Sequence, residues 1–408
     1  MRKRILGLVL VLAMLVASLA ACGTKEKEED KDSGKTNTTN ESNDAKDNGT
    51  STEAGKFYIG GIGPISGAAA VYGQSVKNGA ELAVKEINAA GGINGSQIEF
   101  NFADDEHDAE KAVNAYNSLK DWGMQILMGT VTSKPCTAVA AETAKDNMFQ
   151  LTPSGSSTDI LQFGNAFQVC FTDPNQGIAS AQYIGTKGIA KKVAVIYDSS
   201  DIYSSGIYEK FAEEAANQNL EIVAAEAFTA DSNTDFSVQI QKAKDAGAEL
   251  VFLPIYYTEA TLILTQAASL DYKPVFFGCD GLDGILGVEN FDVSLAEGVM
   301  LLTPFAADAP DAATQKFVAD YKAAYTDIPN QFAADSYDAI YIIKAAIEKA
   351  GVKADASIGD MNTAMKAAMT QITVDGMTGS GMTWLATGEV NKAPRAVVIK
   401  NGAYVAAE

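Results

Sequence analysis

From residue 57 onward the chain alternates short apolar runs with amphipathic segments, and the alternation starts twice. "FYIGGI" reads as a strand, residues 74–88 as a helix with Val76, Ala80, Leu82 and Val84 on its apolar face, and "IEFNFA" as the next strand. A helix over about 108–121, the strand "MQILMG", a helix through "TAVAAETAKD" and a short strand at "MFQLT" complete the first block. After "FTDPNQG" comes strand "KVAVIYD", helix "YSSGIYEKFAEEAANQ", strand "LEIVAAEAF" and a helix near 235–246. Strand "ELVFLPI", a helix over 258–270 and strand "PVFFGCD" follow. Apolar strands separated by helices specify an α/β architecture with parallel sheets covered by helices. The stretch 56–408 is long enough for two lobes with separate cores, although the blocks share no residue-level repeat that indicates duplication.

The end of the chain breaks this rhythm. "AATQKFVADYKAAYTD", "AADSYDAIYIIKAAIEKAG" and "NTAMKAAMTQI" read as successive helices after "GVMLLTPF". "MTWLATGEV" and "RAVVIKNGAYV" then read as strands with turns at Gly388 and Asn401-Gly402. Helices followed by terminal strands suggest that the chain crosses between lobes more than once.

The start of the chain addresses compartment. Arg2, Lys3 and Arg4 precede an apolar run over about 5–18, which ends in "LAAC" at 19–22. A run this short with a basic start reads as a secretory signal over 1–21, not a membrane span. "LAAC" resembles the bacterial lipobox, which implies cleavage before Cys22 and a lipid on its thiol; the plainer alternative is an ordinary signal with a chance cysteine. Residues 23–55 lack large apolar side chains, so with Cys22 they form an expected lipidated, disordered tether, 22–55. The expected location is extracytoplasmic, anchored to the cell membrane.

The formal charge is −21, and loss of the three basic leader residues takes it to −24. Such acidity argues against nucleic-acid binding, which needs Lys and Arg to displace counterions. Cys136, Cys170 and Cys279 are too few and scattered for a disulfide framework; one pair could bridge, and buried thiols are the equal alternative.

"YIGGIGPISG" at 58–67 invites a phosphate-cradle reading, which the residues do not support. Gly61-x-Gly63 fits a dinucleotide fingerprint, but Ser66 takes the third glycine position and Pro64 removes an N–H. The next acids, Asp104-Asp105, stand about twice too far away, and no Lys-Ser/Thr follows a glycine run. His107 is the single histidine, which leaves nucleophilic triads and zinc sites short of ligands; in "DDEHDAE" it reads as a solvated loop residue or a helix start. No G-x-S-x-G elbow or marked carboxylate pair occurs, and no cofactor is expected. The chain is not expected to be an enzyme.

Residues spread over the folded part carry a family likeness. "GPISGAAAVYGQSVKNGAELAVKEINAAGGINGSQIEF", "LTPSGSSTDI", "DPNQG", "YDSSDIYSSGI", "YYTEA", "GCDG" and "AADSYDAIY" stand in order. In these the chain resembles the type I periplasmic binding proteins of branched-chain amino-acid ABC transporters, the leucine/isoleucine/valine-binding group. The resemblance implies two Rossmann-like lobes joined by three crossovers, with an L-amino acid between them. It places the first lobe at 57–174 plus 304–376 and the second at 175–303 plus 377–408. It also implies permease subunits of an ABC importer as partners.

The same resemblance implies a site. Ser133 matches a serine whose hydroxyl meets the ligand α-carboxylate. Ser154, Gly155 and Ser156 match a loop in which Ser154 offers its carbonyl to the ammonium and Ser156 its hydroxyl and N–H to the carboxylate. Asp280 matches the acid that pairs with the α-ammonium. Tyr203 and Tyr256 match second-lobe tyrosines that close over the ligand, Tyr72 a first-lobe cleft tyrosine, and Phe332 stands near the ligand side chain. The bland alternatives are a turn and helix cap for 154–157, a turn for Asp280 with Gly281, and plain packing for the aromatics. Better-known Gram-negative members carry a disulfide near the first-lobe site, where this chain has His107 and Thr132. Their alanine-rich loop is here "SGSS", so leucine, isoleucine or valine is the default ligand, with smaller or more polar amino acids open. A sensor, or a binder of amides, urea or aromatic acids, is the alternative.

Overall fold

A computed structural model describes residues 55–407. The expected leader, the lipidated Cys22 and the tether as far as residue 54 lie outside the described residues. The first sheet contains β1 (Phe57–Gly63), β2 (Ile98–Asp104), β3 (Ile126–Gly129), β4 (Phe149–Thr152) and β5 (Ala166–Gln168). All its pairings are parallel, in the order β2-β1-β3-β4-β5. Helices α1 (Ala70–Ala89), α2 (Ala109–Trp122) and α3 (Ser133–Lys145) follow β1, β2 and β3. β3 and β4 are buried along their whole length, because helices cover both faces of the sheet. The glycines of β1 serve this packing: a Cβ at Gly61 would lie 2.4 Å from the Phe102 ring.

The second block runs α4 (Asp173–Lys187), β6 (Lys192–Asp198), α5 (Ile202–Ala215), β7 (Glu221–Phe228) and α6 (Ser237–Asp245). It continues through β8 (Leu250–Leu253), α7 (Tyr257–Ser269), β9 (Val275–Gly278) and β10 (Met300–Thr303). The chain then leaves this sheet for α8 (Ala312–Tyr325), α9 (Gln331–Ala350) and α10 (Ile358–Met369). α9 packs on α1 so closely that a Cβ at Gly79 would lie 2.1 Å from the Ala333 carbonyl oxygen. α10 covers β4, so these helices complete the first lobe. The antiparallel hairpin β11 (Arg395–Lys400) and β12 (Ala403–Ala406) returns to the second sheet, ordered β12-β11-β10-β9-β8-β6-β7.

The structure departs from the sequence reading in several details, among them β5 and α4, which that reading leaves out between β4 and β6. α3 starts at Ser133, not at 137, because Pro135 falls in the first turn, where its missing N–H costs nothing. "MTWLATGEV" forms no strand, only the isolated bridges Val374–Met382 and Trp384–Val390. Gly381 and Gly388 take left-handed backbone there (φ 62° and 98°), and the stretch bonds outward to the edge of the first sheet. Gln168 N–H donates to the Gly388 carbonyl (3.0 Å) and Trp384 Nε1 to the Gln168 carbonyl (2.8 Å). Lys392, buried against Asp335 at 2.8 Å, also donates to the Val169 carbonyl (3.0 Å). Residues 377–392, given to the second lobe by the resemblance, thus hydrogen-bond to the first. Cys136, Cys170 and Cys279 are free and buried.

In each sheet the strand order reverses beside one central strand, β1 in the first and β6 in the second. Loops leaving neighbouring strands at such a point diverge and open a crevice at the carboxyl ends.

Candidate functional site

The first-lobe side of the crevice is built from the ends of β3 and β4. Ser133 opens α3 directly after the β3 turn, so its side chain sits at a helix N-terminus among unpaired N–H groups. Its Oγ accepts from the N–H groups of Ser156 and Ser157, each at 3.2 Å, and lies 3.5 Å from Ser156 Oγ. The loop carrying those serines is tied on every side. Gly155 N–H donates to Thr152 Oγ1 (2.8 Å), Ser154 Oγ to the Val131 carbonyl (2.7 Å), and Gln168 Nε2 to the carbonyls of Gly155 and Ser157 (2.8 and 3.1 Å). Ser157 also caps the short helical turn at Thr158–Phe163. The cap and the cradle are therefore the same structure.

The second-lobe side comes from the ends of β6, β8 and β9. Asp201 caps α5 by accepting from Tyr203 N–H (3.1 Å), which sets Tyr203 in the first turn. Tyr203 hydroxyl donates to Asp280 Oδ1 at 2.7 Å and accepts from Gly281 N–H at 2.9 Å. Tyr256 stacks on Tyr203, with ring centroids 4.8 Å apart and planes 11° from parallel. Burial pushes the Asp280 carboxyl up to about 7, against the opposing hydrogen bond from Tyr203. Asp173, at the start of α4, is also buried and held well above the usual carboxylate range by desolvation.

Tyr72 crosses between the two sides. From α1 its hydroxyl donates to the Gly281 carbonyl and accepts from Tyr257 N–H (3.2 Å). Val71 N–H reaches Tyr257 hydroxyl (3.1 Å), and Thr258 Oγ1 donates to the Ala68 carbonyl (2.7 Å). Phe332, at the start of α9, packs on Tyr72 with ring centroids 4.4 Å apart. The lobes therefore meet over a small cavity between them.

Seven predicted residues line this cavity: Tyr72, Ser133, Ser154, Ser156, Tyr203, Tyr256 and Asp280. Phe332 joins them. Gly155 does not; a Cβ there would stand 2.8 Å from Thr152 Oγ1 and 3.0 Å from Cys136 Sγ, so the glycine lets the loop pack down. Val131, Thr132 and Gly281 complete the lining and were missed, although each adjoins a predicted residue or motif. His107 directly precedes the α2 cap Asp108, in keeping with a helix start, but it is not solvated: its Nδ1 lies 2.9 Å from Thr132 Oγ1 and its ring meets Tyr256 edge-on.

The lining holds one carboxyl group, hydroxyls and apolar walls, with no lysine or arginine. Such a set can accept from a cation at Asp280 and Tyr203 and donate to an anion at the α3 start. Among the described residues no acid, histidine or cysteine cluster is arranged to hold a metal ion, and no helix is long and apolar enough to cross a membrane.

Comparison with known proteins places this architecture. The family model described as "Periplasmic binding protein" matches residues 56–403. The "Leu/Ile/Val-binding protein homolog 3" of Brucella melitensis is 31% identical over 73% of this chain and 80% of its own. The branched-chain amino acid transporter substrate-binding protein LivJ from Streptococcus pneumoniae, solved with isoleucine, is 29% identical; it superposes with a TM-score of 0.79 over 86% of this chain and 99% of its own. A solute-binding protein from R. palustris in complex with benzoate shares the fold at 21% identity and a TM-score of 0.75, over 86% and 95% of the two chains. With the match running from β1 into the terminal hairpin and through each strand end that supplies the cavity, the chain belongs to the periplasmic binding protein family, a non-enzymatic family, with the type I fold of its Leu/Ile/Val-binding members.

Proposed function

We propose that this protein captures an L-amino acid, by default a branched-chain one, between its lobes and presents it to the permease of an ABC importer. On this reading it is held at the outer face of the membrane by a lipid on Cys22. The observation that carries the ligand class is Asp280: a buried carboxyl in a cavity without lysine or arginine needs a cationic partner from outside. The α-ammonium meets Asp280 and the Ser154 carbonyl, and the α-carboxylate meets Ser133 and Ser156 at the α3 start. The aliphatic side chain lies among Val131, Tyr72, Tyr256 and Phe332.

Closure expels water and strengthens each polar contact in the cavity. Benzoate would leave Asp280 without a counter-charge, so the benzoate-bound relative supports the fold and not the ligand. The deciding experiment is calorimetry of the purified protein with leucine, isoleucine, valine, alanine, urea and benzoate. Saturable binding of an aliphatic amino acid with none of benzoate is expected; the reverse result rejects the reading. Co-purification with a permease complex tests the transport half, and mass spectrometry of the N-terminal peptide tests the lipid.

A further inference from the structure

We propose that His107 is a positioning residue of the ligand trap: it stands on the first lobe, braces Tyr256 and faces Asp201 of the second, and so ties closure to its own protonation. The inference rests on the amino-acid reading above. His107 occupies the turn between β2 and α2. Its N–H donates to Asp105 Oδ1 (2.9 Å), and Glu106 and His107 both take left-handed backbone, at φ 49° and 62°. That conformation is unfavourable for residues with a Cβ, and the buried Asp105 and the helix cap Asp108 hold it on either side.

The ring reaches two cavity walls without entering the cavity. Nδ1 lies 2.9 Å from Thr132 Oγ1 on the first lobe. The ring meets Tyr256 of the second lobe at 5.4 Å between centroids and 83° between planes. Thr132 and Tyr256 both line the cavity, so His107 acts on the ligand through them.

The charged groups facing the ring are Asp201 and Asp198 from the second lobe, and Lys134 and Asp108 from the first, with Asp105 on its own turn. Burial between the lobes lowers the His107 pKa, and the negative charge of Asp201 is the largest opposing influence. Asp201 is raised by its own burial and lowered most by His107. Opening returns the imidazole to water, where its pKa is ordinary, about 6.5. The closed form therefore holds fewer protons at this group than the open form. Acidification below about 6.5 favours opening through His107, and ligand affinity falls.

His107 is the only histidine in the chain, so its ring protons report it directly. The test is a proton NMR titration of the protein with and without saturating leucine. The midpoint is expected to fall by half a unit or more with leucine; half a unit corresponds to about threefold weaker affinity at low pH. His107→Ala is expected to release leucine at least threefold faster in stopped-flow fluorescence. His107→Gln, whose amide can still bond Thr132, is expected to restore the slower release while losing the histidine part of the pH profile. Equal midpoints in both states, or an unchanged release rate in His107→Ala, overturn the proposal. Failure of the unaltered protein to bind any aliphatic amino acid rejects the ligand reading instead. The His107 contact is then judged from the ligand-free midpoint against that in urea, and equal values overturn it.

Discussion

The two halves of the cavity are built on opposite principles. On the first lobe, Ser133 and the 154–157 loop satisfy one another: the serine oxygen accepts two N–H groups that would otherwise be orphaned, and Gln168 fills the carbonyls behind them. On the second lobe, Asp280 is a buried carboxyl whose protein partners do not neutralise it, and Asp173 is buried nearby. The first half is a finished surface, and the second is a half-made ion pair. A ligand gains least specificity where the protein is already satisfied and most where it is not. On the proposed function, recognition of a ligand ammonium would fall to the Asp280 side on closure, and docking to the preformed cradle.

The sharpest way to break this comparison is to remove the unfinished charge. Asp280→Ala is expected to weaken amino-acid binding by about 2–5 kcal/mol, the usual loss when one partner of a buried, hydrogen-bonded charge pair is truncated. Calorimetry reads it, and near-unchanged affinity would falsify the ammonium role. Asp280→Asn separates binding from folding. The folded-state pKa is raised, so the stability this group contributes is complete at low pH and is lost as pH rises through about 7. At pH 8 the ligand-free Asn variant should therefore melt a few degrees above the unaltered protein while binding poorly. An amide that melts lower at pH 8 shows that Asp280 carries no strain in the empty site.

The same charge predicts proton release. On the proposed amino-acid reading a bound ammonium would stabilise the carboxylate, so the occupied site would hold fewer protons than the empty one, and affinity is expected to rise with pH through about 7. Calorimetry at pH 7 in buffers of different ionisation enthalpy should show a fraction of a proton leaving per ligand. Ser133→Ala probes the finished half and should cost less, about 1–2 kcal/mol in affinity. It should also lower ligand-free stability, because the Ser156 and Ser157 N–H groups lose their acceptor. A loss larger than that of Asp280→Ala would reverse the assignment of the halves.

How far the sequence reached follows the same division. Alternating apolar runs reveal parallel sheets because helices bury both faces of their strands, so the α/β class was legible from periodicity, while the crossovers between lobes came from the resemblance. The cavity was legible as residues at strand ends, but only resemblance supplied their roles. The cavity wall at Val131 and Thr132 was overlooked because nothing in "GTVTS" distinguishes a wall from a turn. Lys392 stands in "NKAPR", which looks like a solvated tail, yet it is buried against Asp335. "MTWLATGEV" has strand composition, but its partner is the sheet edge at β5, a strand too short to stand out. His107 looked exposed because its neighbours are charged; the second lobe that covers it comes from residues about 90 to 150 positions away. Period and composition are local properties, whereas burial between lobes is not.

The smallest expected effect tests the bridge between the halves. Tyr72 belongs to the first lobe, yet its hydroxyl is spent on the Gly281 carbonyl and Tyr257 N–H of the second. Tyr72→Phe keeps the ring against Phe332 and removes only those bonds. On the proposed function docking on the cradle precedes closure, so the association rate should change by less than about twofold. Dissociation requires opening and should quicken by roughly fivefold, about 1 kcal/mol, in line with one lost hydrogen-bonding group. Stopped-flow fluorescence separates the two rates. If association slows as much as dissociation quickens, the hydroxyl acts before closure, and the preformed cradle must extend beyond Ser133 and its loop to include α1.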